Sequence, residues 1–220
     1  MPFVSDSVNN GGERQPRYAV AVVETTSRTS LRDITRDAVR SRIAAVAVAR
    51  FDADGFDEVT VEQIATEVGI SARTFHRYFP GKEDAVIGDP ARHRDDLAQA
   101  LRSRPADEPV WDALREAFVT MLDRGGGDSD AGRLSVRVML RTPSLRARNL
   151  EKHMSWADAL VPLTVERLPG DEAELRARTL VQAALGCFDV AISAWAGGDH
   201  PGVDPVDLLH RAFRTLDTAR

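Results

Sequence analysis

Between Ser71 and Lys82 the chain carries Ser71, Arg73, Thr74, His76, Arg77, Tyr78 and Lys82, and no carboxylate. That run is a row of hydrogen-bond donors with positive charge. Arginine and threonine can read base edges in a major groove, while hydroxyl, imidazole, phenol and ammonium groups suit phosphate oxygens. Catalysis has no comparable candidate. His93, His153, His200 and His210 are scattered, and no HExxH, nucleophile elbow or P-loop occurs. His153 sits beside Met154 and Trp156 in an apolar-rich helical stretch and reads as a satisfied or surface histidine rather than a metal ligand. The single cysteine, Cys187, excludes an intramolecular disulfide and a Cys-based zinc site, and reads as a small apolar packing group. These residue types imply no enzyme, no metal and no cofactor.

The donor row needs a scaffold, and the residues around it supply one. Val61, Ile64, Ala65 and Val68 follow the spacing of one buried helix face. Thr60 stands at the N-cap, and Gln63 completes a capping-box pattern. Gly69 can take the positive φ of a C-cap, Ser71 caps a second helix, and Pro80-Gly81 stops it. Two helices joined by a short turn with a glycine make a helix-turn-helix. In the second helix Ala72, Phe75 and Phe79 are spaced to pack inward, so Arg73, Thr74 and Arg77 point out, with His76 and Tyr78 on the flanks. On spacing alone, an ordinary helical hairpin with a basic surface remains open.

The wording of the segment goes further. TVEQIATEVGISARTFHRYFPGKEDAV resembles the DNA-binding signature of TetR-family transcriptional regulators, with its capped helix, GIS turn, T-aromatic-x-x-Y-F run and following lysine. The preceding helix with Phe51 and the turn ending Gly55-Phe56 fit the same family, so that the resemblance spans about residues 34–88. His76 departs from the usual tyrosine. The resemblance implies DNA contacts from Thr60, Ser71, Ala72, Arg73, Thr74, His76, Arg77, Tyr78 and Lys82. Arg73 and Thr74 would set sequence preference; Thr60, Tyr78 and Lys82 would position phosphates.

The 220 residues carry a net charge of −5, which argues against a chain coated in nucleic acid. Residues 1–82 balance 11 basic against 11 acidic side chains, leaving the remainder acidic. A neutral first part with a locally basic helix suits specific docking on DNA. The expected layout is a mobile arm over residues 1–30, a helix-turn-helix domain over 31–82, and a ligand-binding and dimerisation domain over 83–220. Arg14, Arg17, Arg28 and Arg32 in and beside the arm could touch a minor groove, although a solvated tail is the simpler reading. No signal peptide pattern is present, and the chain reads as cytoplasmic.

A helix is predicted from Leu31 to Asp54, with Ile43, Val46, Ala47 and Phe51 inward. Arg36 and Arg40 share a face that could meet a phosphate or only solvent. A helix starting near Gly81 would break at Asp89-Pro90 and end before Pro105. Lys82 in its first turn opposes the helix dipole, which a phosphate would explain. Further helices follow over Glu108–Arg124, Ala131–Arg141, Pro143–Leu168 with an interruption at Pro162, Glu172–Gly197 and Pro205–Thr218. No segment alternates long enough for a sheet, so the fold class is all-α. The apolar stretch Leu180–Gly198 contains Gln182, Asp189 and many small residues, and reads as a buried helix rather than a membrane span. Its Ala183, Ala184, Gly186 and Ala191 permit close helix approach. With Pro205–Thr218 it would form half of an intersubunit four-helix bundle, the homodimer that the resemblance implies.

Trp111, Phe118, Met121, Met139, Trp156 and Phe188 all follow residue 105 and could line a pocket between helices, or simply pack a core. The run RVMLRTPSLRARNLEKHMSWADALVPLTVERL is similar to the C-terminal domain of mycofactocin-system-type regulators, which implies a small apolar effector of the acyl-CoA kind. Arg133, Arg137, Arg141, Arg146 and Arg148 would suit a phosphorylated ligand, with acid-paired solvated faces as the simpler alternative. The expected function is a ligand-responsive dimeric repressor on a palindromic operator. The competing reading is a helical ligand-carrying or protein-interaction module with a vestigial helix-turn-helix.

Overall fold

The computed structural model describes residues 31–124, 129–198 and 200–217. All the regular structure among these residues is helical. Residues 1–30, with Arg14, Arg17 and Arg28, lie outside them, as does the Gly125–Gly127 tract.

Helix α1 runs over Leu31–Asp54 as expected and ends at Gly55, whose φ of 90° only glycine adopts freely. Its inner face is Ile43, Ala47, Val48 and Phe51, with Val48 rather than Val46 fully inside. Helix α2 (Val61–Val68) packs on it, and helix α3 (Ala72–Tyr78) packs on α2. Ile64, Phe75 and Phe79 are buried against α1, each stabilising the unit by roughly 1.5–3 kcal/mol relative to exposure.

The helix expected to begin at Gly81 is two helices. Helix α4 covers only Asp84–Ile87, and helix α5 covers Pro90–Arg102. Between them Gly88 takes φ 83° and ψ −158°, a conformation essentially closed to other residues. Asp89 then restarts the helix: its Oδ1 accepts from the backbone N–H groups of Ala91 and Arg92, both at 3.2 Å, ahead of Pro90. The break is therefore complete rather than a kink. Ala85 and Ile87 of α4 pack in the same core as α1–α3.

The second core gathers α5, α6 (Val110–Arg124), α8 (Pro143–Val165), α9 (Ala173–Gly197) and α10 (Pro205–Asp217). Helix α7 (Asp130–Arg141) faces both cores, and its Val138 belongs with α1–α4, as does Leu145 of α8. Pro162 does not interrupt α8; it is exposed, one turn from the end, and costs the ladder a single hydrogen bond. Helix α9 is long and apolar enough to cross a membrane, yet it packs on α6, α7, α8 and α10 as a core helix. Which of its faces turns inward differs from expectation. Ala184 and Ala191 are 0% and 2% exposed within the protomer and so are not available to a second chain. The outward side carries Leu175 and Val190, with Gly186 exposed between them.

Candidate nucleic-acid interface

The turn that presents α3 is built by local hydrogen bonds. Thr60 Oγ1 accepts from the Gln63 N–H at 3.3 Å, and the Gln63 side chain accepts from the Thr60 N–H at 2.8 Å, closing the capping box. Gly69 sits at φ 80°, and Ser71 Oγ accepts from the Thr74 N–H at 3.1 Å. With Phe75 and Phe79 inside, Arg73, His76 and Arg77 are exposed, while Ala72, Thr74 and Tyr78 are half-buried and Thr60 and Ser71 lie at the surface. Arg73 makes no hydrogen bond or ion pair among the described residues. The Arg77 guanidinium lies 5.3 Å from the Tyr78 ring. A cleft of about 560 Å³ beside it is lined by Leu31, Arg32, Thr35, Arg36, Arg77 and Tyr78, joining the start of α1 to the end of α3 in one basic surface.

Two members of the expected set, and Arg40 beside them, have other ties. Lys82 Nζ donates to the carbonyls of Phe56 at 2.7 Å, Val59 at 3.0 Å and Asp57 at 3.5 Å, and lies 4.4 Å from the Phe56 ring. All three ammonium protons are spent on the α1–α2 turn. Those carbonyls give a lysine at this position a partner within the chain. His76 Nδ1 lies 3.2 Å from the Pro80 carbonyl, which can only accept. Nδ1 therefore carries a proton in this contact, and Nε2 is left for a partner outside the chain. Arg40 stacks on Phe79 at 4.6 Å, donates to the Tyr78 carbonyl at 3.2 Å and meets Asp89 at 3.9 Å. It braces α3 against α1 and the α4–α5 break, a role that sequence spacing did not signal.

In the second domain the expected pocket residues fall into separate places. Phe118, Trp156 and Phe188 converge, with ring centroids 5.2–6.4 Å apart, and half-buried Met121 packs on the same core. Trp111 instead packs on Phe213 at 4.5 Å, and Met139 belongs to the core of α1–α4. Sequence position could not separate these two from the rest. The cluster also holds polar groups to which the sequence reading gave no part in a pocket. His153 is buried, with Nδ1 3.3 Å from an Asp189 carboxylate oxygen, and Lys152 Nζ lies 4.8 Å from the Trp156 ring. Burial, opposed by Asp189, lowers the Lys152 ammonium to about 8. His93 packs edge-on to Trp156 at 6.4 Å; burial first, and the Lys152 charge second, hold its imidazole below the usual value. The i, i+4 spacing of Lys152 and Trp156 was the available signal. Burial pushes the Cys187 thiol up, in keeping with a packing group.

Four of the five arginines on this surface have partners from this chain, and Arg137 makes no hydrogen bond or ion pair among the described residues. Arg133 donates to the Trp195 carbonyl, Arg141 meets Asp52, Arg146 donates to the Leu140 carbonyl, and Arg148 meets Glu151 and Asp84. These contacts fasten α7 and α8 to α1, α4 and α9.

Comparison with known proteins agrees with this architecture. Residues 43–86 match the family described as bacterial regulatory proteins, tetR family, and residues 108–220 match the MftR C-terminal domain. A protein of Mycobacterium tuberculosis named as a mycofactocin biosynthesis transcriptional regulator, MftR, is 29% identical over 160 residues, covering 73% of this chain and 79% of that relative. FadR from Bacillus halodurans superposes with a TM-score of 0.58 at 21% identity, over 81% of this chain and 94% of that one. FadR from Bacillus subtilis, solved in complex with stearoyl-CoA, does so with a TM-score of 0.54 at 18% identity, over 80% and 96%. At such identities the two structures speak to the fold alone. The helix-turn-helix and the matched helical domain behind it together place this chain in the TetR family of DNA-binding bacterial transcriptional regulators, with a ligand-binding C-terminal domain of MftR type.

Proposed function

We propose that the protein is a repressor that binds a palindromic operator as a homodimer and leaves it when a small apolar effector fills the second domain. The observation that carries the reading is the exposed face of α3, where Arg73 and Arg77 project from a helix held by buried Phe75 and Phe79. Arg73 and Thr74 are the proposed base readers. Thr60, Ser71 and Tyr78 are the proposed phosphate contacts, Ala72 a close-approach position, and Lys82 the brace of the turn.

Dimerisation is supported by the outward side of α9 and α10. Leu175, Val190 and Leu216 are 63%, 64% and 41% exposed, an apolar surface that a second copy would cover. A dimer places two α3 helices at a fixed separation, and that separation must match one turn of the duplex. The effector is an elongated apolar molecule, with acyl-CoA as the first candidate. Support comes from the MftR-type domain and from the aromatic cluster of Phe118, Trp156 and Phe188.

An effector can release DNA only by binding the non-binding arrangement of the heads more tightly. The proposed route is short. His93 touches Trp156 on one side, and on the other its ring fills the space over Gly88, where an added Cβ would lie 2.5 Å from Cε1. A shift in the aromatic cluster thus reaches the break between α4 and α5.

Fluorescence anisotropy of duplexes from the DNA upstream of the chain's own gene tests the reading. The expected result is tight binding to one inverted repeat, a linear fall of log affinity with log salt, and release by acyl-CoA. Equal weak binding to all duplexes would favour the carrier or interaction module.

A further inference from the structure

We propose that the ligand domain holds an anionic oxygen of its effector against Lys152, His153 and Trp156, at the junction of α5, α8 and α9. The proposal rests on the effector-responsive reading above.

The cluster holds polar atoms without partners. Trp156 is 2% exposed and its indole N–H has no partner; His153 is 6% exposed and its Nε2 has none. Lys152, one helical turn before Trp156, lies over the indole at 4.8 Å and makes no hydrogen bond or ion pair among the described residues. Phe118 and Phe188 cannot accept. Asp189, the carboxylate on the facing helix, is taken by His153 Nδ1. Leaving a buried donor unmade carries its full desolvation penalty, so native chains rarely keep several in one place without a use. An oxygen brought from outside would take up the Trp156 N–H and the Lys152 ammonium, and the lysine charge selects a negative one.

The rest of the cluster suits an apolar body. Phe118 and Phe188 are stacked at 5.2 Å beside Trp156 and would open around a chain. Arg141, Arg146 and Arg148 do not compete for the anion in the same way, since they already have partners within the chain. The low value of Lys152, about 8, fits an ammonium held for a counter-charge that arrives with the ligand. Two sources share this chemistry: the carboxylate of a free fatty acid and a phosphate of an acyl thioester.

Isothermal titration of the full-length protein with dodecanoate, dodecanoyl-CoA and methyl dodecanoate decides it. At least one anion should bind about tenfold or more tighter than the ester, and Lys152→Met should abolish that preference. Trp156→Phe, which keeps the ring and removes the N–H, should weaken the anion several-fold. Preference for dodecanoate assigns the site to a carboxylate, and preference for dodecanoyl-CoA assigns it to a phosphate. Equal affinity for all three, retention of the preference in Lys152→Met, or no binding at all overturns the proposal. A buried water would fill the same gap without selecting charge and would give the first of these results. Circular dichroism checks each variant; should Trp156→Phe misfold, the half-buried Lys152 decides alone. Operator binding by the ligand-free wild type is measured in parallel. If it holds while no ligand binds, only the anion site fails; if it is absent, the regulator reading fails.

Discussion

Replacing Lys152 by methionine should make the protein more stable. An ammonium held at about 8 instead of 10.5 carries its charge at neutral pH against a cost of roughly 3 kcal/mol. Methionine keeps an unbranched stem for packing and loses the contact with the Trp156 ring, worth about 1 kcal/mol. The net gain is then about 1–2 kcal/mol, or roughly 2–8 °C in Tm for a chain of this size. The pH profile gives a second reading with a definite sign. Below pH 8 folded and unfolded chains both hold the proton and the full cost is present. Between about 8 and 10.5 the unfolded chain binds the extra proton, so wild-type stability rises with pH relative to the variant. Thermal denaturation of both proteins at one concentration, from pH 7 to 10.5, measures each effect. A variant less stable than wild type at pH 7, with a difference independent of pH, would refute the picture of a strained ammonium.

Three other perturbations follow from the geometry. Lys82→Met should cost about 1–3 kcal/mol by leaving the Phe56 and Val59 carbonyls without their donor, while barely changing the salt slope of DNA binding; an unaltered Tm with a slope reduced by one would restore the phosphate contact. Gly88→Ala should lower Tm through about 1–3 kcal/mol of backbone strain at φ 83°, plus the clash with His93; a stable alanine variant with normal effector response would remove this break from the coupling route. Val190→Glu, on the exposed side of α9, should keep helicity and yield monomers by light scattering, whereas Ala184→Glu should unfold the core; dimers that survive Val190→Glu would move the interface elsewhere.

The helix-turn-helix was legible because its determinants are local. The Thr60–Gln63 capping box, the Gly69 turn, the Ser71 cap and the inward Phe75 and Phe79 all depend on neighbours within about one helical turn. The intrachain contacts of Lys82 were not legible, for the opposite reason. The carbonyls that hold it lie 23 to 26 residues earlier, and no local rule connects them to it. Ala184 and Ala191 could not be oriented from sequence, since a helix apolar on every side leaves its inner face undefined until α6, α7, α8 and α10 are packed on it. The same limit governs the pocket set. Trp111, Met139 and Trp156 look alike by composition and end in three different contacts, because the crossing of helices, not residue type, decides which rings meet. Unsatisfied groups such as Trp156 Nε1 become visible only when every neighbour is placed.

The central claim is that the outward face of α3 reads DNA. Its most direct test is the affinity of wild type and Arg73→Ala for an operator and for its single-base variants, each measured over a range of salt. The account predicts that Arg73→Ala loses about 1–3 kcal/mol of discrimination at one base pair in each half-site and keeps its ranking of the other positions. An Arg73→Ala protein that binds every variant with the wild-type pattern would contradict it.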